Sequence, residues 1–289
     1  MSSDNVLDQV KKLREITGVG FSDCKKAIDE NHGDIEKSIL FLRKKGISKA
    51  NQKQTRIAAD GVICIHEEKN VFSMVEINTE TDFVAKNENF IKFAEEVSKI
   101  VFLTKGDLKN TLSSQMGNKR NVEENLVDLI SKIGEKITIR RSAYFEKNSS
   151  INFSYMHTSI KKNVGKLGVL LSLETSKPLD SISDLGHKLS MHIAASSPVS
   201  IDKNDLNNDI LNKEREIIKE ELKNSGKDTK IIDKIALGKL NKFVSDNTLL
   251  NQEWIMEPKK KVKDIIKEHS SNEKIKIKKF IRFKVGEGI

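Results

Sequence analysis

Residues 79–87, with the sequence TETDFVAKN, place a carboxylate and a large aromatic ring side by side between two apolar stretches. A connection with a purely structural role would need only a polar helix cap at this point. Two interpretations fit the residues equally well. Phe83 can turn inward as a hydrophobic staple of the following helix. Alternatively, it can project from an exposed loop as an apolar wedge towards a partner, with Asp82 as its charged neighbour.

Other residues that could support catalysis lack the spacing that such chemistry needs. Gly18-Val19-Gly20 is not followed by the Lys-Ser/Thr pair of a phosphate-binding loop, and it predicts a helix break. His187 and His192 lie five positions apart, so a straight helix does not aim both at one metal ion, and we expect one of them to be a core or interface histidine. Cys24 falls on an apolar stripe, which favours a buried structural thiol. The sequence therefore predicts neither an enzyme nor a bound metal or cofactor.

The charge pattern supports an alternative function. Lys and Arg total 51 against 42 Asp and Glu, which gives a formal net charge of +9, and basic runs occur at residues 43–45 and 259–261. These runs would suit a basic RNA- or ribosome-binding accessory protein. The chain has one Trp and two Tyr, however, so an interleaved aromatic pattern for base stacking is missing. We therefore expect solvated lysines and no direct contact with nucleic acid.

At the N-terminus, the spacing of apolar residues predicts three short helices within residues 1–50. Ser22 is the expected cap of the second helix and Asp34 that of the third. Gly46 is the expected end of the third helix. The inward positions are Val6, Val10, Leu13, Cys24, Ala27, Ile28, Ile35, Ile39 and Leu42.

Two halves of mixed helix and strand are predicted next, at residues 51–135 and 136–204. In the first half, strands at 61–65 and 71–78 precede residues 79–87 and a long helix, and a second helix ends at Gly134. In the second half, strands at 137–145, 151–157 and 167–173 precede one helix. The similar order suggests an internal duplication. The apolar face of the long helix carries Phe90, Phe93, Ala94, Val97, Ile100 and Val101.

Residues 205–248 predict an antiparallel helical hairpin, a coiled coil, with its turn at Asn224-Ser225-Gly226. Residues 249–289 return to the core and end in a strand with one buried and one basic face, interrupted by a bulge at Lys279 and Phe280. The predicted fold class is α+β. It combines an N-terminal three-helix module, a two-part core with antiparallel sheets and the inserted hairpin.

Length and composition agree with this architecture. A chain of 289 residues suggests about two domains. Hydrophobic residues make up 37% and charged residues 32%, which is typical of soluble globular proteins. Two cysteines are too few for a disulfide framework, and residues 1–5 lack the order of a signal peptide. No apolar run reaches the ~18 residues that span a bilayer. We therefore expect a cytoplasmic protein without a membrane partner.

Several motifs, in this order, resemble the elongation factor Ts family, the guanine-nucleotide exchange factors of bacterial elongation factor Tu. Together they extend over nearly the whole chain. The motifs are Leu13-Arg14-Glu15, Asp23-Cys24-Lys25-Lys26-Ala27, Gly33-Asp34-Ile35-Glu36, Ala59-Asp60-Gly61-Val62, Thr81-Asp82-Phe83-Val84-Ala85-Lys86, Met191-His192-Ile193-Ala194-Ala195-Ser196, Met256-Glu257-Pro258 and Arg282-Phe283-Lys284-Val285-Gly286-Glu287-Gly288.

The resemblance implies a role for the first segment described above. Asp82 and Phe83 would push between helices of the partner's GTPase domain near its magnesium site, and Thr81 and Val84 would shape the loop. The implied function is exchange of GDP for GTP on elongation factor Tu, by displacement of the magnesium ion and loosening of the nucleotide site. No catalytic chemistry or cofactor of the chain's own is implied.

The resemblance also implies further contacts with elongation factor Tu. The three N-terminal helices would form a module similar to ubiquitin-associated domains (UBA-like), and Arg14 and Phe21 would contact another helix of the GTPase domain. His157, in the second half of the core, would contact a different domain of the partner.

Overall fold

The computed structural model describes residues 3–223, 229–270 and 273–289. Within these ranges the chain has the predicted α+β fold and begins with three helices, α1 (Ser3–Thr17), α2 (Phe21–Glu30) and α3 (Ile35–Gln52). Their predicted apolar stripes pack together, and Leu13, Cys24 and Ile28 are buried among them. Asp34 caps α3 as predicted, because its Oδ1 accepts a hydrogen bond from the Lys37 N–H at 3.0 Å.

Two predicted helix boundaries among these three helices are wrong. Ser22 does not cap α2, because the extended backbone of Gly20 already leads into the helix and Phe21 is its first residue. Gly46 does not end α3, which continues to Gln52. A Cβ atom at position 46 would lie 2.5 Å from Ser131 Oγ on α7 (Val122–Ile133). The glycine therefore lies inside α3, where this helix faces α7, and does not end it.

The core contains six strands within the described ranges, β1 (Asp60–Glu68), β2 (Val71–Thr79), β3 (Ile137–Phe145), β4 (Ser150–Lys161), β5 (Val164–Glu174) and β8 (Lys276–Lys284). They form one antiparallel sheet in the order β3-β2-β1-β5-β4, with β8 paired to β5. The two halves join through β1 and β5, where Ile63 pairs with Gly165 and Cys64 with Val164. Both halves therefore share a sheet.

Apolar layers cover both faces of this sheet. In the first half, β1 and β2 pack against α5 (Glu88–Leu103) and α7. In the second half, β5 and β8 pack against α8 (Leu179–Ser196) and α11 (Val262–Ser270). On the side of the strands that faces away from these helices, the two halves pack against each other through residues such as Met74, Leu170 and Phe283. Burial on both faces explains why β5 is almost continuously apolar in sequence.

Other elements complete the chain around these layers. α4 (Asp82–Ala85) and α6 (Leu108–Ser113) belong to the first half, and a small ribbon of β6 (Glu253–Trp254) and β7 (Glu257–Lys261) precedes α11. The predicted bulge in the last strand lies one residue earlier than expected. Lys278 is the extra residue, because Ile277 pairs with Leu173 and Lys279 with Ser172.

Of the two histidines, His192 on α8 lies in the core. It is fully buried, its Nε2 lies 3.0 Å from Gln252 Oε1, and its ring stacks on Trp254. Burial lowers the pKa of His192, because the charged form loses its hydration. His187 lies on the exposed face of the same helix. The two histidines therefore do not face the same environment.

A buried ion cluster ties the first half to the end of the chain. Glu76 on β2 is fully buried, and its carboxylate contacts Arg140 at 3.1 Å and Arg141 at 2.5 Å. The Gly286 N–H donates to Glu76 Oε1 at 2.9 Å. Burial alone would raise the pKa of Glu76, but the hydrogen bonds from Asn78, Gly286 and Arg141 outweigh it and lower the pKa. The carboxylate is therefore held in its ionised form.

The segment predicted as a coiled-coil hairpin contains α9 (Asn208–Lys223) and α10 (Thr229–Asn247). The two helices contact each other, and an ion pair joins Lys239 to Glu221. The predicted turn at Asn224-Ser225-Gly226 lies outside the described residues, and the coiled coil stays a prediction. In the described part of the chain, no helix combines the length and apolar character that crossing a membrane requires.

Candidate partner-binding site

Residues 79–87 connect the first-half strand β2 to the helix α5. They contain the single helical turn α4, which sits between β2 and α5. Thr81 caps α4, since its Oγ1 accepts from the Val84 N–H at 3.4 Å. Asn87 caps α5, since its Oδ1 accepts from the Asn89 N–H at 2.9 Å. These two capping side chains stabilise the helical turn at its start and the beginning of the helix that follows it.

Phe83 projects from α4 into solvent with 82% of its surface exposed. The ring is therefore not a hydrophobic staple in this structure. Val84 is half-buried against the core of the first half, and Ala85 is fully buried. The turn thus separates an inward face, with Val84 and Ala85, from an outward face that carries Phe83.

Asp82 stands beside the ring, with about half of its side chain exposed. Its Oδ2 accepts a hydrogen bond from Lys86 Nζ at 2.8 Å. This hydrogen bond is the main cause that lowers the pKa of Asp82, and the same contact raises the pKa of Lys86. At neutral pH the site therefore presents an apolar ring next to an ionised carboxylate.

Two carboxylates fasten this segment to the beginning of β3. Glu135 accepts hydrogen bonds from Thr79 Oγ1 at 2.9 Å, from the Thr81 N–H at 3.0 Å and from Thr81 Oγ1 at 2.7 Å. In return, the Lys136 N–H donates to Glu80 Oε1 at 2.6 Å. The polar groups that precede α4 are therefore bound by residues that lie more than fifty positions further along the chain.

Phe83 also lines an open groove of about 1040 Å³ between the N-terminal helices and the first half of the core. On the side of the helices, the groove is lined by Ile16 and Leu40, each of which is 55% exposed. On the side of the core, it is lined by Phe83, Phe93 and Leu129. The groove therefore presents apolar surface on two walls that belong to different parts of the chain.

Close contacts hold the two walls of the groove together. Arg43 on α3 forms an ion pair with Glu124 on α7 at 2.5 Å. Val127 and Ser131, which are one turn apart on α7, face Gly46 on α3. The next residue of α7, Lys132, lies next to Gly18. These contacts fix the three N-terminal helices on α7, which itself packs in the core of the first half.

The other predicted contact residues lie elsewhere. Arg14 is exposed in the last turn of α1, and Phe21 is 43% exposed at the start of α2. They flank residues 16–19, which line the groove, without lining it themselves. His157 is exposed on β4 in the second half, and its Nδ1 lies 3.1 Å from the Tyr155 hydroxyl. Among the described residues, the structure thus brings Phe83 and Val84, but not these three, into the groove.

Leu40 and Glu135 are site residues that the sequence reasoning missed. Leu40 had a signal, because it is an apolar residue beside the inward stripe position Ile39 and not part of that stripe. Glu135 had none, because its role depends on a contact with Thr81 that only the folded sheet creates.

Comparison with known proteins agrees with these features. The family model described as "Elongation factor TS" matches residues 80–287, which include α4, the sheet from β3 onwards and the helices α9 and α10. Elongation factor Ts of Methylorubrum populi is 38% identical over 283 residues, covering 97% of this chain and 92% of that protein. Elongation factor Ts of Rhodospirillum centenum is 38% identical over 284 residues, with the same coverage. Elongation factor Ts of Gluconobacter oxydans is 37% identical over 280 residues, covering 97% of this chain and 91% of that protein. With a match that extends over almost the full chain and includes the exposed turn, this chain belongs to the elongation factor Ts family.

Proposed function

We propose that this protein is a translation elongation factor of the cytoplasm that binds elongation factor Tu and promotes exchange of GDP for GTP. The observation that carries this proposal is the 82% exposure of Phe83 on a capped turn beside a groove that is lined by apolar and polar residues. Exposed aromatic rings that enter a pocket of a partner supply a large share of binding free energy. Membership of the elongation factor Ts family supports elongation factor Tu as the partner.

The exchange needs no catalytic group on this chain. A magnesium ion neutralises the phosphate charge of a nucleotide bound to a GTPase, and it contributes strongly to the affinity for GDP. Phe83 and Asp82, pushed between helices near that ion, displace the structure that supports it, while Thr81 and Val84 hold the turn in shape. The GDP then dissociates faster, although no residue of this protein touches it.

Several contacts together offset the strain that the wedge imposes on the partner. The apolar walls of the groove, with Ile16 and Leu40, provide one surface. Arg14 and Phe21 on the N-terminal helices and His157 on β4 provide further contacts. Because coupling between two bound ligands is reciprocal, a partner that holds nucleotide tightly binds this protein less tightly. Binding of GTP therefore releases the factor and completes the cycle.

The test is the release of a fluorescent GDP analogue from elongation factor Tu, measured with and without this protein in the presence of excess unlabelled nucleotide. We expect the release rate to rise with the concentration of the protein and to reach a plateau. A release rate that stays at its basal value at all concentrations would reject the function.

A further inference from the structure

The position of Phe83 must be set by the backbone of α4, because most of the ring is in solvent and has little packing within the chain. α4 has four residues, and helices of this length are not stable by themselves in water. Its geometry therefore depends on what binds its ends. At the N-terminal end this is Thr81, which both caps the turn and contacts a distant carboxylate.

Glu135 is that carboxylate, and both of its oxygens are occupied. Oε2 accepts from Thr79 Oγ1 and from the Thr81 N–H, and Oε1 accepts from Thr81 Oγ1. Hydrogen bonds to an ionised carboxylate are stronger and more directional than those between neutral groups. Glu135 reaches this place because Gly134 ends α7 with a left-handed backbone (φ 86°) that turns the chain back towards β2.

The anchor is itself held from several sides. The Lys136 N–H donates to Glu80 Oε1 at 2.6 Å, and Lys136 Nζ donates to the carbonyl oxygens of Gln54 and Arg56 at 2.7 and 2.8 Å. Glu80 also pairs with Arg56 at 3.3 Å. Force applied to α4 is therefore transmitted to β3 and to the connection after α3, and not only to the flanking residues of β2.

We propose that Glu135 is a positioning residue for nucleotide exchange: it fixes Thr81, and through Thr81 it aims Phe83 and resists the force of insertion into the partner. This proposal rests on the proposed function. Glu135 itself need not touch the partner, and its effect passes through Phe83.

The first measurement concerns the free protein. Glu135→Ala removes both oxygens, and we expect faster amide hydrogen exchange at Thr81 and Val84 with little change in the unfolding temperature. Glu135→Gln keeps one acceptor oxygen for the Thr81 N–H and is expected to restore most of the protection. Glu123→Ala is the matched control, because it removes an exposed carboxylate from the first turn of α7. Unchanged amide hydrogen exchange at Thr81 and Val84 in Glu135→Ala would show that Glu135 does not hold this segment in place.

The second measurement is the acceleration of GDP release from elongation factor Tu. Loss of hydrogen bonds to a charged group should lower the maximal release rate with Glu135→Ala about tenfold. The concentration for half-maximal effect should change little, since the groove remains. Glu135→Gln should lie between wild type and Glu135→Ala, and Glu123→Ala should match wild type.

A double variant separates positioning from an independent effect. If Glu135 acts through Phe83, adding Glu135→Ala to Phe83→Ala lowers the release rate no further. Two results would overturn the positioning role while the proposed function stands. One is a release rate in the double variant that is lower than with Phe83→Ala alone by the full factor of Glu135→Ala, and the other is a wild-type release rate with Glu135→Ala. Absence of acceleration by the wild-type protein would instead reject the proposed function, and the positioning role with it.

Discussion

The two halves of the core share the order of hairpin, connection and helix, but their connections differ. In the first half, the connection from β2 to α5 contains the turn α4, which presents Phe83 with 82% exposure. In the second half, residues 175–178 lead directly from β5 to α8, and Leu179 at its start is 45% exposed. There, Thr175 Oγ1 accepts from the nearby Lys177 N–H at 3.2 Å. The same order of elements therefore presents two different surfaces, an anchored turn with an exposed ring in the first half and a short direct link in the second half.

The sheet itself shows the largest asymmetry between the halves. β2 buries the ionised Glu76, whereas β5, which is described in full, has Ser172 as its buried polar side chain. Glu76→Ala leaves Arg140 and Arg141 without their common carboxylate, and we expect a loss of about 3 kcal/mol in the free energy of unfolding. Denaturant unfolding at pH 7 measures it. Ser172→Ala is the control and should cost less than about 1.5 kcal/mol.

Acid sharpens the same comparison. Because the pKa of Glu76 is lowered from 4.5 in the folded state, its contribution is present above about pH 4.5 and is lost as the pH falls through the folded-state pKa. The stability difference between wild type and Glu76→Ala should therefore shrink below pH 4.5. If the stability difference between wild type and Glu76→Ala were the same at pH 7 and at pH 3, the ionised form of Glu76 would not be the source of its contribution.

The next largest effect concerns the two exposed apolar residues of the connections. Phe83→Ala should lower the maximal acceleration of GDP release about 30-fold, which corresponds to about 2 kcal/mol for a binding hot spot. Leu179→Ala removes the corresponding exposed side chain of the second half and should leave the acceleration within about twofold of wild type. Equal effects of the two variants would mean that the connections do not differ in function.

The smallest effect concerns the caps. Thr81→Val removes the hydroxyl that caps α4, and a lost helix cap costs about 1 kcal/mol. The acceleration of GDP release should therefore fall about fivefold. Thr81→Ser keeps the hydroxyl and should retain the wild-type rate. Thr175→Val removes a hydroxyl from the connection of the second half, and a reduced rate for that variant would argue against a role specific to Thr81.

Much of the fold could be predicted, because burial imposes a period on the sequence. The apolar face of α5 and the end of α7 at Gly134 are confirmed, since both follow from local spacing and capping. The predicted end of α3 at Gly46 is wrong, because the residue type that ends many helices also occurs inside a helix where another helix packs against it. The boundaries of the predicted domains stay a prediction.

The candidate site was predictable only in part. The sequence marked Asp82 and Phe83 as unusual, but the staple and the wedge both satisfied the local pattern. The exposure of Phe83 decides between them, and the turn that presents it is bound by Glu135, which lies near Thr81 because β3 pairs with β2 and Ile137 lies opposite Thr79. Contacts between residues so distant along the chain leave no trace in hydrophobic periodicity.

The absence of one side-chain atom at position 46 has a geometric consequence for recognition. An alanine there would need only a rotation of the Ser131 hydroxyl, because the next nearest atoms lie 3.5 Å or more away, whereas a bulky side chain would press α3 away from α7 and move the wall that carries Leu40 outwards from Phe83. The width of the groove therefore depends on a small residue at the contact between α3 and α7. A bulky residue at this buried position would widen the groove while every side chain that lines it stays the same.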